Sequence, residues 1–62
     1  MDLNLAANIP DPDGFYDELL GVHHELNKAE SDALNARLVL ILANHIGDRD
    51  ILRQAMKAAK QS

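Results

Sequence analysis

"RLVLILANHIG", Arg37 to Gly47, decides how this 62-residue chain folds. Gly47 follows the last periodic apolar residue, where a helix closes on a glycine. Upstream, Asn27 is followed three residues later by Glu30, the pattern of a capping box that opens a helix at about Lys28. One helix, 28 to 46, therefore holds an unbroken run of six apolar residues, Leu38 to Ala43. At about 100° per residue, such a run coats nearly the whole circumference. Ile41, Leu34, Leu38, Leu42, Ile46 and Val39 form a wide bulky arc with His45 near its middle. Ala33, Ala36, Ala43 and Leu40 form a second apolar face of small residues, flanked by Arg37 and Asn44. A helix apolar all round belongs at the centre of something. Two short flanking helices are expected to cover the bulky face but not both, so the second face is expected to be an interface.

The flanking segments are legible from their punctuation. "MDLNLAANIPDP" has two prolines, which push their preceding residues toward extended backbone, and no helical period. Residues 1 to 10 are expected as an extended arm whose Leu3, Leu5 and Ile9 dock on the helices. Asp11 suits an N-cap, Pro12 the first helical position and Asp13 the positive end of the dipole. Helix one is expected over 11 to 26, with Val22, Phe15, Leu26, Leu19, Tyr16 and Leu20 on one arc. Asp48 or Asp50 caps a third helix, 49 to 60, apolar along Ile51, Leu52, Ala55, Met56, Ala58 and Ala59. The fold class is all-α: a single three-helix unit, residues 1 to 62, made of a helical hairpin plus a C-terminal helix behind an extended N-terminal arm. Its expected assembly is an oligomeric helix bundle.

So small a chain gains little from burial beyond the entropy it loses on ordering, and it needs a staple or a partner. With no cysteine, disulfides and thiolate metal sites are excluded. Good packing and a partner are what remain, and a two-fold homodimer is the commonest solution. Ala36, Arg37, Leu40, Ala43, Asn44 and His45 are the expected interface residues. The net charge of −4 argues against nucleic acid, which is bound through clustered Lys and Arg. The charge is also lopsided. Residues 1 to 32 hold eight acids and Lys28 alone among bases, while residues 33 to 62 hold five bases and two acids. That asymmetry favours packing one half against the other, within a chain or antiparallel between copies. No signal-peptide pattern precedes the arm, and the run Leu38 to Ala43 is far short of a membrane span, so a cytoplasmic protein is expected.

Chemistry finds few footholds. His23, His24 and His45 are the candidates for a general base or a metal ligand. Adjacent histidines point about 100° apart on a helix, so His23 and His24 cannot chelate one ion together. "HHE" at His23 to Glu25 lacks the Glu-x-x-His spacing of two-metal helical bundles. Ser31, Ser62 and Tyr16 carry the chain's hydroxyls, and none lies in a nucleophile motif. Gly14, Gly21 and Gly47 are scattered, so there is no phosphate loop. Arg53, Lys57 and Lys60 form a basic stripe, solvated or facing an acidic partner. The expectation is a non-enzymatic helical interaction module without cofactor. The alternative is a histidine-based metal or small-ligand binder.

"DPDGFYDELLGVHHEL" followed by "SDALNARLVLILANHIGD" resembles a family of short bacterial proteins catalogued as a domain of unknown function. The resemblance covers about residues 11 to 59 and is clearest in "ALNARLVLILANHIGD". It carries over no activity, catalytic residue or cofactor. It implies a gene beside those of flavin-dependent aromatic hydroxylases, and with it an accessory role in aromatic catabolism, with a flavin-dependent oxidoreductase as the suspected protein partner.

Overall fold

The computed structural model describes residues 2 to 61, which contain three helices and no strand. They are α1, Pro12–Val22, α2, Lys28–Ile46, and α3, Arg49–Gln61. The ends of α2 are those the sequence implies. Asn27 Oδ1 accepts from the Glu30 amide at 2.9 Å, and Glu30 Oε1 accepts from the Asn27 amide at 3.0 Å. Gly47 closes the helix at φ 71, a left-handed conformation that glycine adopts without steric cost, and its amide donates to Ala43 O. Between the two possible caps of α3, Asp48 is the one used. Its Oδ1 accepts from the amides of Asp50 and Ile51, while Asp50 turns to Arg53 at 2.6 Å.

Helix α1 departs from expectation at both ends. Asp11 does cap it, accepting from the Gly14 amide at 3.2 Å, but from a left-handed backbone, φ 51, rather than the usual extended one. The cap curls so closely over Gly14 that a Cβ there would run into the Asp11 carboxylate. At the other end α1 stops at Val22, not at Leu26. Residues 23 to 25 form a turn of tightened bonds, His24 N to Gly21 O and Leu26 N to His23 O, with Glu25 left-handed at φ 65. Glutamate has no local reason to favour that region, and its side chain is exposed, with His24 as its ion-pair neighbour at 3.9 Å. Glu25→Gly is therefore expected to stabilise by about 0.5–1 kcal/mol, the relief of strain less the extra entropy of an unfolded glycine. Urea denaturation checks this; a loss of stability would mean that the Glu25 side chain holds the turn.

Packing is sparse. Among the described residues, α2 and α3 are the helices whose backbones approach closely, and α1 stands off both. Ile51 is the one buried side chain among them, 7% exposed, with Leu52, Ala55 and Ala58 half-buried on the same side of α3. Of the three arm residues expected to dock, Leu3 meets this corner, while Leu5 and Ile9 are exposed. Leu3 is half-buried and its amide donates to Gln54 Oε1 at 3.1 Å. A 6.8 kDa chain folded as an ordinary monomer exposes about 4,000 Å², whereas this one exposes 5667 Å². Its radius of gyration is 13.3 Å, against about 10.6 Å for a compact domain of this length.

Candidate functional site

The surplus surface is centred on α2. Val39, Leu40, Ile41 and Leu42 are 64%, 70%, 64% and 54% exposed. Four successive helical positions sweep about 300°, so no single side of the helix is being left free. The expectation that α1 and α3 cover the bulky arc is corrected here. Of that arc only Leu34 and Leu38 are half-buried, and Ile46 is exposed along with Val39, Ile41 and Leu42. Helix α1 does not approach the α2 backbone closely, and a groove lined by Val22, Leu34, Arg37, Leu38 and Ile41 lies open beside α2. The α1 residues Phe15, Tyr16, Leu20 and Val22 are themselves exposed. Together they continue the apolar surface of α2 onto a second helix.

The residues expected at an interface sit on this surface unevenly. Ala36, Arg37, Leu40, Asn44 and His45 are exposed, and Ala43 is half-buried within the chain. Arg37 borders the α1–α2 groove. His45 lies at the opposite end, over the corner where Leu3, Asn4 and Asn8 of the arm meet Ile46 and Ile51.

His23 has a structural task that the sequence did not disclose. Its Nδ1 lies 2.9 Å from Ser31 Oγ and its Nε2 3.1 Å from Asn35 Oδ1. Ser31 and Asn35 are four apart on one face of α2, so one ring bridges a full helical turn. This bridge and the turn at 23 to 25 are what tie α1 to α2. Loss of both bonds in His23→Ala is expected to cost about 1 kcal/mol, since each net hydrogen bond contributes about 0.5–1.5 kcal/mol. It should also speed amide exchange through α1 while leaving α3 unchanged. Uniform exchange across both helices would show that α1 is held by something else.

Charges follow the same pattern of missing partners. The ion pairs among the described residues are Lys28–Asp32 at 2.8 Å, Arg53–Asp50 at 2.6 Å and His24–Glu25, each between near neighbours in sequence. None joins two helices. Among the described residues, Asp13, Asp17 and Glu18 of α1, and Arg49, Lys57 and Lys60 of α3, have no opposite charge within 4.0 Å. Among the described residues no three His, Asp or Glu side chains are grouped to hold a metal ion, and no helix is long and apolar enough to cross a membrane.

These features define a small all-α protein whose most prominent surface is an uncovered apolar helix. The family described as "Protein of unknown function (DUF2783)" matches residues 3–61, and the chain belongs to it. The match takes in most of the arm as well as the three helices, a longer span than the motif stretches alone suggest. No curated protein and no solved structure shows a significant match to the chain.

Proposed function

We propose that the protein is a cytoplasmic, self-associating helical interaction module without a catalytic step of its own, built as a two-fold dimer on α2. One observation carries this: Val39, Leu40, Ile41 and Leu42 are all more than half exposed in the middle of the longest helix. Soluble monomers rarely present a contiguous apolar patch of this kind unless it meets a partner. A second copy of the chain fits the area. The surface in excess of a compact monomer is about 1,700 Å² per chain, or about 3,400 Å² for two, within the range of obligate homodimers. Sedimentation equilibrium at micromolar concentration tests it, with twice the chain mass as the expected result. A folded species of single-chain mass at that concentration overturns it.

A flavin-dependent oxidoreductase as a further partner is supported by the family resemblance alone. Capture from the native host with the chain at its native level tests that arm separately, and recovery of the bait by itself leaves self-association as the whole role.

A further inference from the structure

We infer that in the dimer the acidic α1 of each copy lies against the basic α3 of the other, with the two α2 helices antiparallel between them. This rests on the self-association proposed above and names how the two copies recognise one another.

The first observation is where the charges lie. On α3, Arg49, Arg53, Lys57 and Lys60 recur at helical spacing and fall within about 80° of one another. On α1, Asp13 and Asp17 are four apart on one face, with Glu18 beside them. Like charges at such spacing destabilise the helix that carries them. Apart from Arg53, which pairs with Asp50, each stripe is thus unfavourable alone, and each is the complement of the other. Within one chain they do not meet: α1 and α3 are not in contact, and no ion pair links them among the described residues.

The second observation is where α2 holds its two neighbours. His23 fastens α1 to Ser31 and Asn35, in the N-terminal half of α2. Helix α3 folds back after Gly47 and packs at the C-terminal half, where Ile46 and Ile51 share a corner with the arm. Antiparallel α2 helices set the N-terminal half of one beside the C-terminal half of the other. Each α1 then comes alongside the partner's α3, twice over, by the two-fold axis. A parallel pair would instead put acidic α1 on acidic α1 and basic α3 on basic α3. Complementary charge selects register and orientation in this way even where it adds little affinity.

The antiparallel arrangement also explains why α2 is bare on nearly every side. One partner helix covers one side only. The partner's α2, flanked by its own α1 and α3, forms a trough that receives most of the circumference of Val39 to Leu42.

The test is an exchange of charge between two full-length chains. One carries Asp17→Lys and Glu18→Lys; the other carries Arg49→Glu and Lys57→Glu. Each homodimer then opposes like charges at both contacts, while the mixed dimer opposes unlike charges at both. In native mass spectrometry at low salt, the mixed species is expected to exceed either homodimer by about tenfold, and the preference should shrink as salt screens it. A third chain with all four substitutions should recover wild-type self-association yet not combine with wild type, because antiparallel helices would set acidic α1 on acidic α3 and basic α3 on basic α1. Preferential mixing of those two chains would show a parallel pair and overturn the arrangement. A statistical mixture of the three dimers overturns the pairing. So does a third chain that recovers while the first two fail to combine, because the contact is then within one chain. Wild-type protein run alongside keeps the two ideas apart. If it is a dimer and the exchange fails, the α1–α3 pairing is wrong and self-association stands; if it is a monomer, self-association itself falls.

Discussion

Leu40→Glu is expected to abolish the proposed dimer and with it most of the fold's stability, a loss of several kcal/mol. The expectation is sharp because the isolated chain implies the opposite. Leu40 is the most exposed residue of α2's apolar stretch, and a surface substitution away from caps and packing ordinarily changes stability by no more than about 0.5 kcal/mol. If the chain works alone, glutamate at position 40 is harmless and even improves solubility. If α2 is the seam of a dimer, each copy buries a carboxylate without a partner, and an unpaired buried charge costs about 3–5 kcal/mol. Leu5→Glu is the control. Leu5, 79% exposed on the arm and outside the apolar run of α2, should tolerate the change. Denaturation at two protein concentrations reads the result. The wild-type midpoint rises with concentration, as it must when unfolding and dissociation are one event. For Leu40→Glu any remaining transition is weak and independent of concentration. An unchanged midpoint in the variant sinks the interface on α2.

Much of this molecule was legible in its string of residues, and what was hidden is of one physical kind. Helix ends are local chemistry. Asn27 with Glu30, Gly47 and Asp11 each act through bonds to residues three or four away, so spacing alone locates them. The apolar arcs of α2 are equally local, since they follow from 3.6 residues per turn. How far neighbouring helices stand from those arcs is not local. It depends on how the chain leaves α1, through a turn whose Glu25 is left-handed, a conformation nothing in that residue type announces. The bulky face of α2 was therefore expected to be covered and is mostly bare. His23 shows the same limit. Ser31 carried meaning in the sequence only as a hydroxyl, and Asn35 carried none. Once the turn is formed, the two become the anchor points for one imidazole ring. Gly14 was likewise mute until the Asp11 carboxylate closed over it.

Ile51→Ala is expected to destabilise by about 2–3 kcal/mol, toward the lower part of the range for removing large buried aliphatic side chains, because the cluster around Ile51 is half-open and relaxes. Ile51 is the point where the arm, the end of α2 and the start of α3 converge, and it is the one buried side chain among the described residues. Its loss loosens the corner that aims α3, and through it the seat of Leu3 beside Gln54. The contrast with Leu40 separates two kinds of stability in so small a chain. Ile51 is enclosed by its own chain, so the penalty is already present in each protomer. The variant remains a dimer, and its midpoint still rises with concentration, each tenfold increase returning about 1.4 kcal/mol per dimer. Denaturation curves for wild type and Ile51→Ala should run parallel when midpoint is plotted against concentration, offset by a constant. Convergence of the two lines at low concentration, where the chains are separate, would show that Ile51 acts through assembly rather than through the fold of the protomer. An offset that persists at the lowest concentration assigns the corner at Ile51 to the single chain and, on the proposed dimer, leaves the bare middle of α2 as the part of the core that a second chain would supply.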